Sequence, residues 1–286
     1  MADSWSEWPA PAKLNLFLHI VGRRADGYHL LQTVFQLLDW GDRVHLRTRA
    51  DAAIVRVSGL AEIAPESDLA VRAAVALRRA TGTTLGADIR VDKQIPVGGG
   101  LGGGSSDAAT VLVALNELWG TGLREDELAQ IGLLLGADVP VFVRGHSAWA
   151  EGVGERLTAV DLAQRHYIIV DPHAHVPTAE LFQCPELTRN SPPLTISDYL
   201  GGAETFNIFA PLVRERYAPV AAALDWLQQY GDARLSGSGG CVFAAVDAAI
   251  AQRVLQDCPA QFTAYGVNGV NRSPLHEALE RYRSNS

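Results

Sequence analysis

Six glycines fall within seven residues in the run Pro96-Val97-Gly98-Gly99-Gly100-Leu101-Gly102-Gly103-Gly104-Ser105-Ser106-Asp107. A backbone without Cβ atoms can turn several N–H groups towards one anion. The sequence predicts a helix directly afterwards, over 105–119, whose unpaired N–H groups and positive dipole end add to the same attraction. Together these features make a phosphate cradle. A flexible linker is the plain alternative, but linkers are seldom followed at once by a hydroxyl pair and a strongly apolar helix. A Walker loop needs Lys and Ser or Thr right after its last glycine, and no such segment occurs. Gly98, Gly100 and Gly103 do satisfy the G-x-G-x-x-G spacing of dinucleotide-binding folds. The acid at the matching distance, Glu117, falls inside the expected helix rather than at a strand end, where it is misplaced for a ribose.

Three more segments carry groups suited to chemistry beside that cradle. In Pro11-Ala12-Lys13-Leu14-Asn15-Leu16, strand alternation puts Lys13 and Asn15 on one face; a solvated strand lysine is the plain alternative. In Leu135-Gly136-Ala137-Asp138-Val139-Pro140-Val141-Phe142, Asp138 lies between a helix stop and an apolar run. It is either a turn-forming residue or a general base, the latter above all if a lysine approaches it. Leu235-Ser236-Gly237-Ser238-Gly239-Gly240 is a second glycine turn, either a tight hairpin link or another anion-binding concavity. Of the 24 basic residues only Lys13 and Lys93 are lysines, which fits positions that need a compact point charge rather than a planar fork.

The elements that must position these groups alternate without a regular βαβ rhythm. Strands are expected at 13–21, 28–38, 43–49 and 54–58, then a helix capped near Ser67 and stopped at Gly82, and a strand at 89–95. After the cradle helix come a helix at 124–135 and a strand at 139–143. The pattern loosens over 158–165, which divides the chain into domains 1–160 and 161–286. The second part reads as a strand at 167–171, a proline-rich loop at 172–193, helical sequence at 207–229, strands flanking 237–240, a helix at 248–256 and a strand at 263–267. Mixed elements of this kind indicate two α+β domains.

Composition narrows the function further. A chain of 286 residues with 48% hydrophobic and 20% charged residues can bury a large core. A net charge of -8 repels nucleic acid and anionic membrane surfaces but leaves room for a phosphate-bearing small molecule in a local basic pocket. Cys184, Cys241 and Cys258 fit neither a disulfide framework nor a zinc site and read as free thiols. The N-terminal segment has no basic and apolar regions of a secretory signal. The apolar stretch 131–143 is short and is interrupted by Asp138 and Pro140, so a cytoplasmic protein without membrane partners is expected. Oligomeric state and magnesium ligands stay open at this stage.

Taken together, the early Lys-containing strand, the Pro96–Ser106 loop and the late glycine motif resemble the GHMP kinases, named for galactokinase, homoserine kinase, mevalonate kinase and phosphomevalonate kinase. The segments at 11–18, 24–29, 96–110, 136–142, 150–155 and 185–187 resemble in particular the branch that phosphorylates a cytidine-diphosphate-linked methylerythritol in isoprenoid synthesis. The resemblance implies a ribosomal-protein-S5-like N-terminal domain, a ferredoxin-like C-terminal domain and an active site between them. It further implies ATP and Mg2+ as cofactors, Asp138 as base with Lys13 as its cationic partner, and Asn15 orienting the acceptor hydroxyl. Tyr28, His29 and Phe182 would hold the cytosine. Lys93, Pro96, Val97, Gly98, Gly99, Gly100, Leu101, Gly102, Gly103, Gly104, Ser105, Ser106 and Asp107 would bind ATP. Asp68 and Asp107 stand where relatives often carry Asn, both towards the adenosine side. The alternatives are another kinase of this superfamily, a non-catalytic nucleotide-binding module, or a dinucleotide-dependent oxidoreductase.

Overall fold

A computed structural model describes residues 4–25, 27–60 and 63–285, so Asp26 of the 24–29 motif lies outside the described residues. The chain opens with two long antiparallel strands, β1 (Ser6–Arg23) and β2 (His29–Arg49), followed by β3 (Ile54–Ser58), α1 (Leu69–Thr81) and β4 (Gly86–Asp92). Next come α2 (Gly103–Leu118), α3 (Glu125–Leu133), α4 (Val139–Arg144), β5 (Ala148–Gly152) and β6 (Arg156–Ala159). The second half holds β7 (His166–Asp171), α5 (Thr178–Gln183), α6 (Ile196–Leu200), α7 (Ala210–Arg216) and α8 (Ala218–Leu227). It ends with β8 (Arg234–Leu235), β9 (Val242–Val246), α9 (Ala248–Gln256), β10 (Thr263–Val270) and α10 (Pro274–Asn285).

One sheet runs through both halves in the order β3-β4-β2-β10-β7-β9-β8, with β1 and β5 also paired to β2. The join is short: Gly269 and Val270 of β10 pair with Leu38 and Leu37 of β2. Two cores flank it. Trp8, Phe35, Leu46, Leu77, Leu112 and Phe142 anchor the first, and Ile168, Phe209, Leu227 and Val254 the second. Leu275 and Leu279 of α10 return to the first core.

Several expected elements shift, for physical reasons. The run 139–143 is helical, not a strand. Its β-branched residues suggested extension, but Pro140 suits a first helical turn and Gly145, at φ +66°, caps the helix in the left-handed region. The strands expected at 28–38 and 43–49 are one continuous strand. The strand expected at 89–95 starts earlier and stops at Asp92, because the Gln94 and Ile95 N–H groups donate to the buried Asp42 carboxylate instead (2.6 and 2.8 Å). Asp68 rather than Ser67 caps α1, accepting the Ala70 N–H at 2.9 Å. The proline-rich loop contains α5, and β5, β6, α6 and α10 stand where no element is expected.

Candidate active site

β1 carries the first reactive groups at a point where its register slips. The pairing with β2 shifts between Pro11 and Lys13 and again between Asn15 and Leu18. There the Lys13 N–H bonds the Leu101 carbonyl of the glycine loop at 3.0 Å, so the slip ties strand to loop. The Lys13 side chain is buried. Its ammonium donates to Asn15 Oδ1 and, at 3.0 Å, to the Gly100 carbonyl, and lies 3.3 Å from Asp138 Oδ2. Asn15 donates in turn to Thr33 Oγ1 at 3.0 Å, which fixes its amide orientation. Asp138 is about one third exposed and directly precedes α4. The lysine is thus held by packing while the carboxylate faces open space.

The loop bends by placing every second residue in the left-handed region: Gly98, Gly100 and Gly102 have φ of +73°, +76° and +77°. That alternation turns successive N–H groups into one concavity. No side chain fits at Gly100, where a Cβ would meet the Ser236 carbonyl oxygen at 2.1 Å. The second glycine turn links β8 to β9 and also braces the first. Cys241 N donates to the Gly99 carbonyl at 3.1 Å and Ser236 Oγ to the Gly100 carbonyl at 3.0 Å. Asn207 holds this second turn by donating to the Leu235 and Gly237 carbonyls.

The glycine loop is a wall shared by two cavities. On one side lies a cavity of about 450 Å³, lined by Lys93, Pro96, Val97, all six loop glycines, Leu101, Ser105 and Asp107. On the other lies a cleft of about 1140 Å³, lined among others by Lys13, Asn15, Tyr28, His29, Asp138 and Phe182. Gly98, Gly100 and Gly102 line both. Of the residues expected to bind nucleotide, Ser106 alone does not join the lining: its side chain is buried and its hydroxyl has no partner.

Beneath the cradle, Lys93 bridges two carboxylates, donating to Asp42 and, at 2.7 Å, to Asp107. Burial lowers the affinity of Lys93 for its proton, but Asp107 and Asp42 outweigh that and hold it above the usual lysine range. One ammonium cannot compensate two buried carboxylates. Burial accordingly pushes Asp107 up to about 7, against the pull of Lys93 and with a further push from Asp42.

At the far end of the larger cleft, Phe182 stacks on His29, with ring centroids 5.0 Å apart and planes at 25°. Tyr28, 65% exposed, lines the same cleft. Arg189 organises this end, donating to His29 Nε2 at 3.1 Å and to the Phe182 and Cys184 carbonyls. Burial first, then Arg189 and Arg23, lower the His29 pKa, so the ring is neutral near pH 7. Sequence reasoning passed over Arg189, Thr33, Ser236 and Asn207. Ser236 stood inside a motif already singled out, whereas nothing distinguishes Arg189 from the other arginines of the chain.

This arrangement agrees with what the chain resembles among known proteins. The model of the GHMP kinase N-terminal domain matches residues 68–146 and that of the C-terminal domain matches 194–264. A 4-diphosphocytidyl-2-C-methyl-D-erythritol kinase from Xanthomonas campestris is 57% identical over 279 residues, covering 97% of this chain and 95% of that protein. The enzyme of the same name from Halorhodospira halophila is 57% identical, with 96% of each covered. A crystal structure of 4-(cytidine 5'-diphospho)-2C-methyl-D-erythritol kinase superposes with a TM-score of 0.79 at 32% identity, over 93% of this chain and all of that one. The mevalonate kinase of Methanococcus jannaschii, at 16% identity and a TM-score of 0.67, shares the fold. The chain belongs to the GHMP kinases, and within them to the 4-diphosphocytidyl-2-C-methyl-D-erythritol kinases.

Proposed function

We propose that the chain transfers the γ-phosphoryl group of ATP to the 2-hydroxyl of 4-diphosphocytidyl-2-C-methyl-D-erythritol, giving the 2-phosphate and ADP, in the non-mevalonate pathway of isoprenoid and terpenoid synthesis. The observation that carries this reading is the glycine loop as the common wall of two cavities, with Lys13 and Asp138 at the larger one.

In this reading the triphosphate lies along the loop from the 450 Å³ side, its β- and γ-oxygens on the N–H groups between Pro96 and Ser105. The acceptor occupies the larger cleft with its cytosine among Tyr28, His29 and Phe182. His29 and Phe182 already stack on each other, so the base docks against that pair and under Tyr28. Asp138 takes the proton of the 2-hydroxyl as its oxygen attacks the γ-phosphorus. The bond from that phosphorus to the β–γ bridging oxygen breaks, and ADP leaves with the electron pair. Lys13, anchored by Asn15 and Gly100, pairs with Asp138 and faces the charge building on the transferred group.

Among the described residues no three acids, histidines or cysteines cluster as a preformed metal cage. That suits magnesium, which keeps several waters and arrives on phosphate oxygens with one or two protein ligands. The Ser105 hydroxyl, which lines the nucleotide cavity, is a protein oxygen that would join the phosphate oxygens in holding it. Bound there, the ion would neutralise charge on the β- and γ-phosphates. No described helix is long and apolar enough to cross a membrane, and a cytoplasmic location, where ATP is supplied, completes the proposal. Incubation with ATP, magnesium and the named acceptor tests it. ADP should form only when the acceptor is present, and absence of turnover where a related enzyme works would reject it.

A further inference from the structure

One face of the second half's sheet packs on helices, and the other buries Tyr167, Ile169, Phe243 and Val267 against Leu14, Leu38 and Leu101 of the first half. Ile168, Val170, Val242 and Ala244 pack into the helix-covered core. Strand alternation sends Arg165, Tyr167, Phe243 and Ala245 to the opposite face, and the register sets Tyr167 beside Ala245. That face carries a separate cavity of about 630 Å³, lined by Gln36, Arg165, Tyr167, Tyr199, Arg234 and Phe243 among others.

Some of its polar groups have no partner in the protein. Tyr167 is 3% exposed, yet among the described residues its hydroxyl has no hydrogen-bond partner, unlike most buried tyrosines. The Arg165 guanidinium has neither an ion pair nor a hydrogen bond there, and Gln36 Oε1 is buried without a partner. Arg165, Arg234 and Tyr199 all act electrostatically on the Tyr167 phenol, so the four groups converge, and burial pushes that phenol up to about 12, leaving it a hydrogen-bond donor. Arg234 is already engaged by Asp232, the Leu16 carbonyl and Thr205. Arg165 is left as the cation of the lining without an ion pair among the described residues, while Asp161 also lines the cavity and limits the charge it can take. A dianion is therefore disfavoured, and the apolar walls of Leu16, Leu162, Leu200 and Phe243 suit an organic body.

We propose that this cavity is a second ligand site, distinct from the catalytic cleft, which takes a small organic carboxylate whose oxygens meet Arg165 and the Tyr167 and Tyr199 hydroxyls. The site adjoins the reaction centre through Leu16, which lines it, accepts from Arg234 at 3.0 Å and is the next residue after Asn15.

The full chain is titrated with 2-naphthoate and, separately, with neutral 2-naphthamide, following binding by fluorescence. The site predicts saturable naphthoate binding that survives added ADP and CMP. It also predicts at least about tenfold weaker binding of the amide, and a loss of at least about tenfold in both Arg165→Ala and Tyr167→Phe, the size of one charged hydrogen bond. Arg165 has no partner to lose and Tyr167→Phe keeps the ring, so both variants should fold. Lack of saturation up to about 10 mM, displacement by ADP or CMP, amide binding as tight as naphthoate, or parent-like affinity in either variant would overturn the assignment.

Discussion

The Lys13 ammonium stands 3.3 Å from the Asp138 carboxylate, and the same ammonium donates to the Gly100 carbonyl at 3.0 Å. A strand, a helix start and the glycine loop therefore meet at one charge. Lys13 is buried and Asp138 partly open, so the cation is fixed and the carboxylate is left to face a substrate.

From that geometry, Asp138→Asn should leave ATP affinity within about twofold while lowering kcat by roughly 10²–10⁴, the usual contribution of a general base. The isosteric amide still accepts from Lys13 but cannot take the proton. Calorimetric ATP binding beside steady-state turnover checks this, and near-normal turnover would remove Asp138 from the base role.

Gly100→Ala should cost far more than its one carbon suggests. Its φ is +76° and the new Cβ would meet the Ser236 carbonyl at 2.1 Å, so the two glycine turns must part and ATP binding must weaken. Gly82→Ala is the control: φ is +69° with no atom within 4 Å, and the cost is about 1–2 kcal/mol with ATP binding kept. Denaturant unfolding and ATP titration of both variants make the comparison.

Arg189→Ala should raise the acceptor KM about tenfold or more with little change in kcat or in the KM for ATP. The guanidinium holds His29 and the Phe182 carbonyl and touches nothing near Asp138. A fall in kcat with unchanged acceptor KM would contradict this assignment.

Asp107 makes a prediction about pH. Its folded-state value, about 7, lies above the ordinary carboxylate value of 3.8. Between those values the folded chain keeps a proton that the unfolded chain has lost, so this group makes stability fall as pH rises through that window. Asp107→Asn removes the effect. Its Tm relative to the parent chain should climb between pH 4.5 and 7.5, and a flat or falling difference would show that Asp107 is ionised throughout.

Much of the site was legible because its chemistry is local in sequence. Period-two alternation put Lys13 and Asn15 on one face, and the glycine density of 98–104 announced the left-handed turns that no other residue takes cheaply. The elements that failed did so where local and tertiary preferences compete. Val139-Pro140-Val141-Phe142-Val143 looks like a strand because buried helix and buried strand share an apolar run, and only Pro140 and Gly145 favour the helix. Polar α10 offers Leu275 and Leu279 as its only fully inward residues, too weak a stripe to read beside its charges. Arg189 reaches His29 across the whole first half of the chain, a contact that no spacing rule encodes.

The central claim is that the glycine loop parts a nucleotide cavity from an acceptor cleft and delivers one phosphoryl group between them. A crystal structure of the chain with a non-hydrolysable ATP analogue and cytidine diphosphate tests it most directly. The account predicts the triphosphate on the N–H groups of residues 98–104 with its terminal phosphorus pointing at Asp138, and cytosine against His29 and Phe182. A nucleotide triphosphate seated away from that loop, or cytosine bound outside the larger cleft, would contradict it.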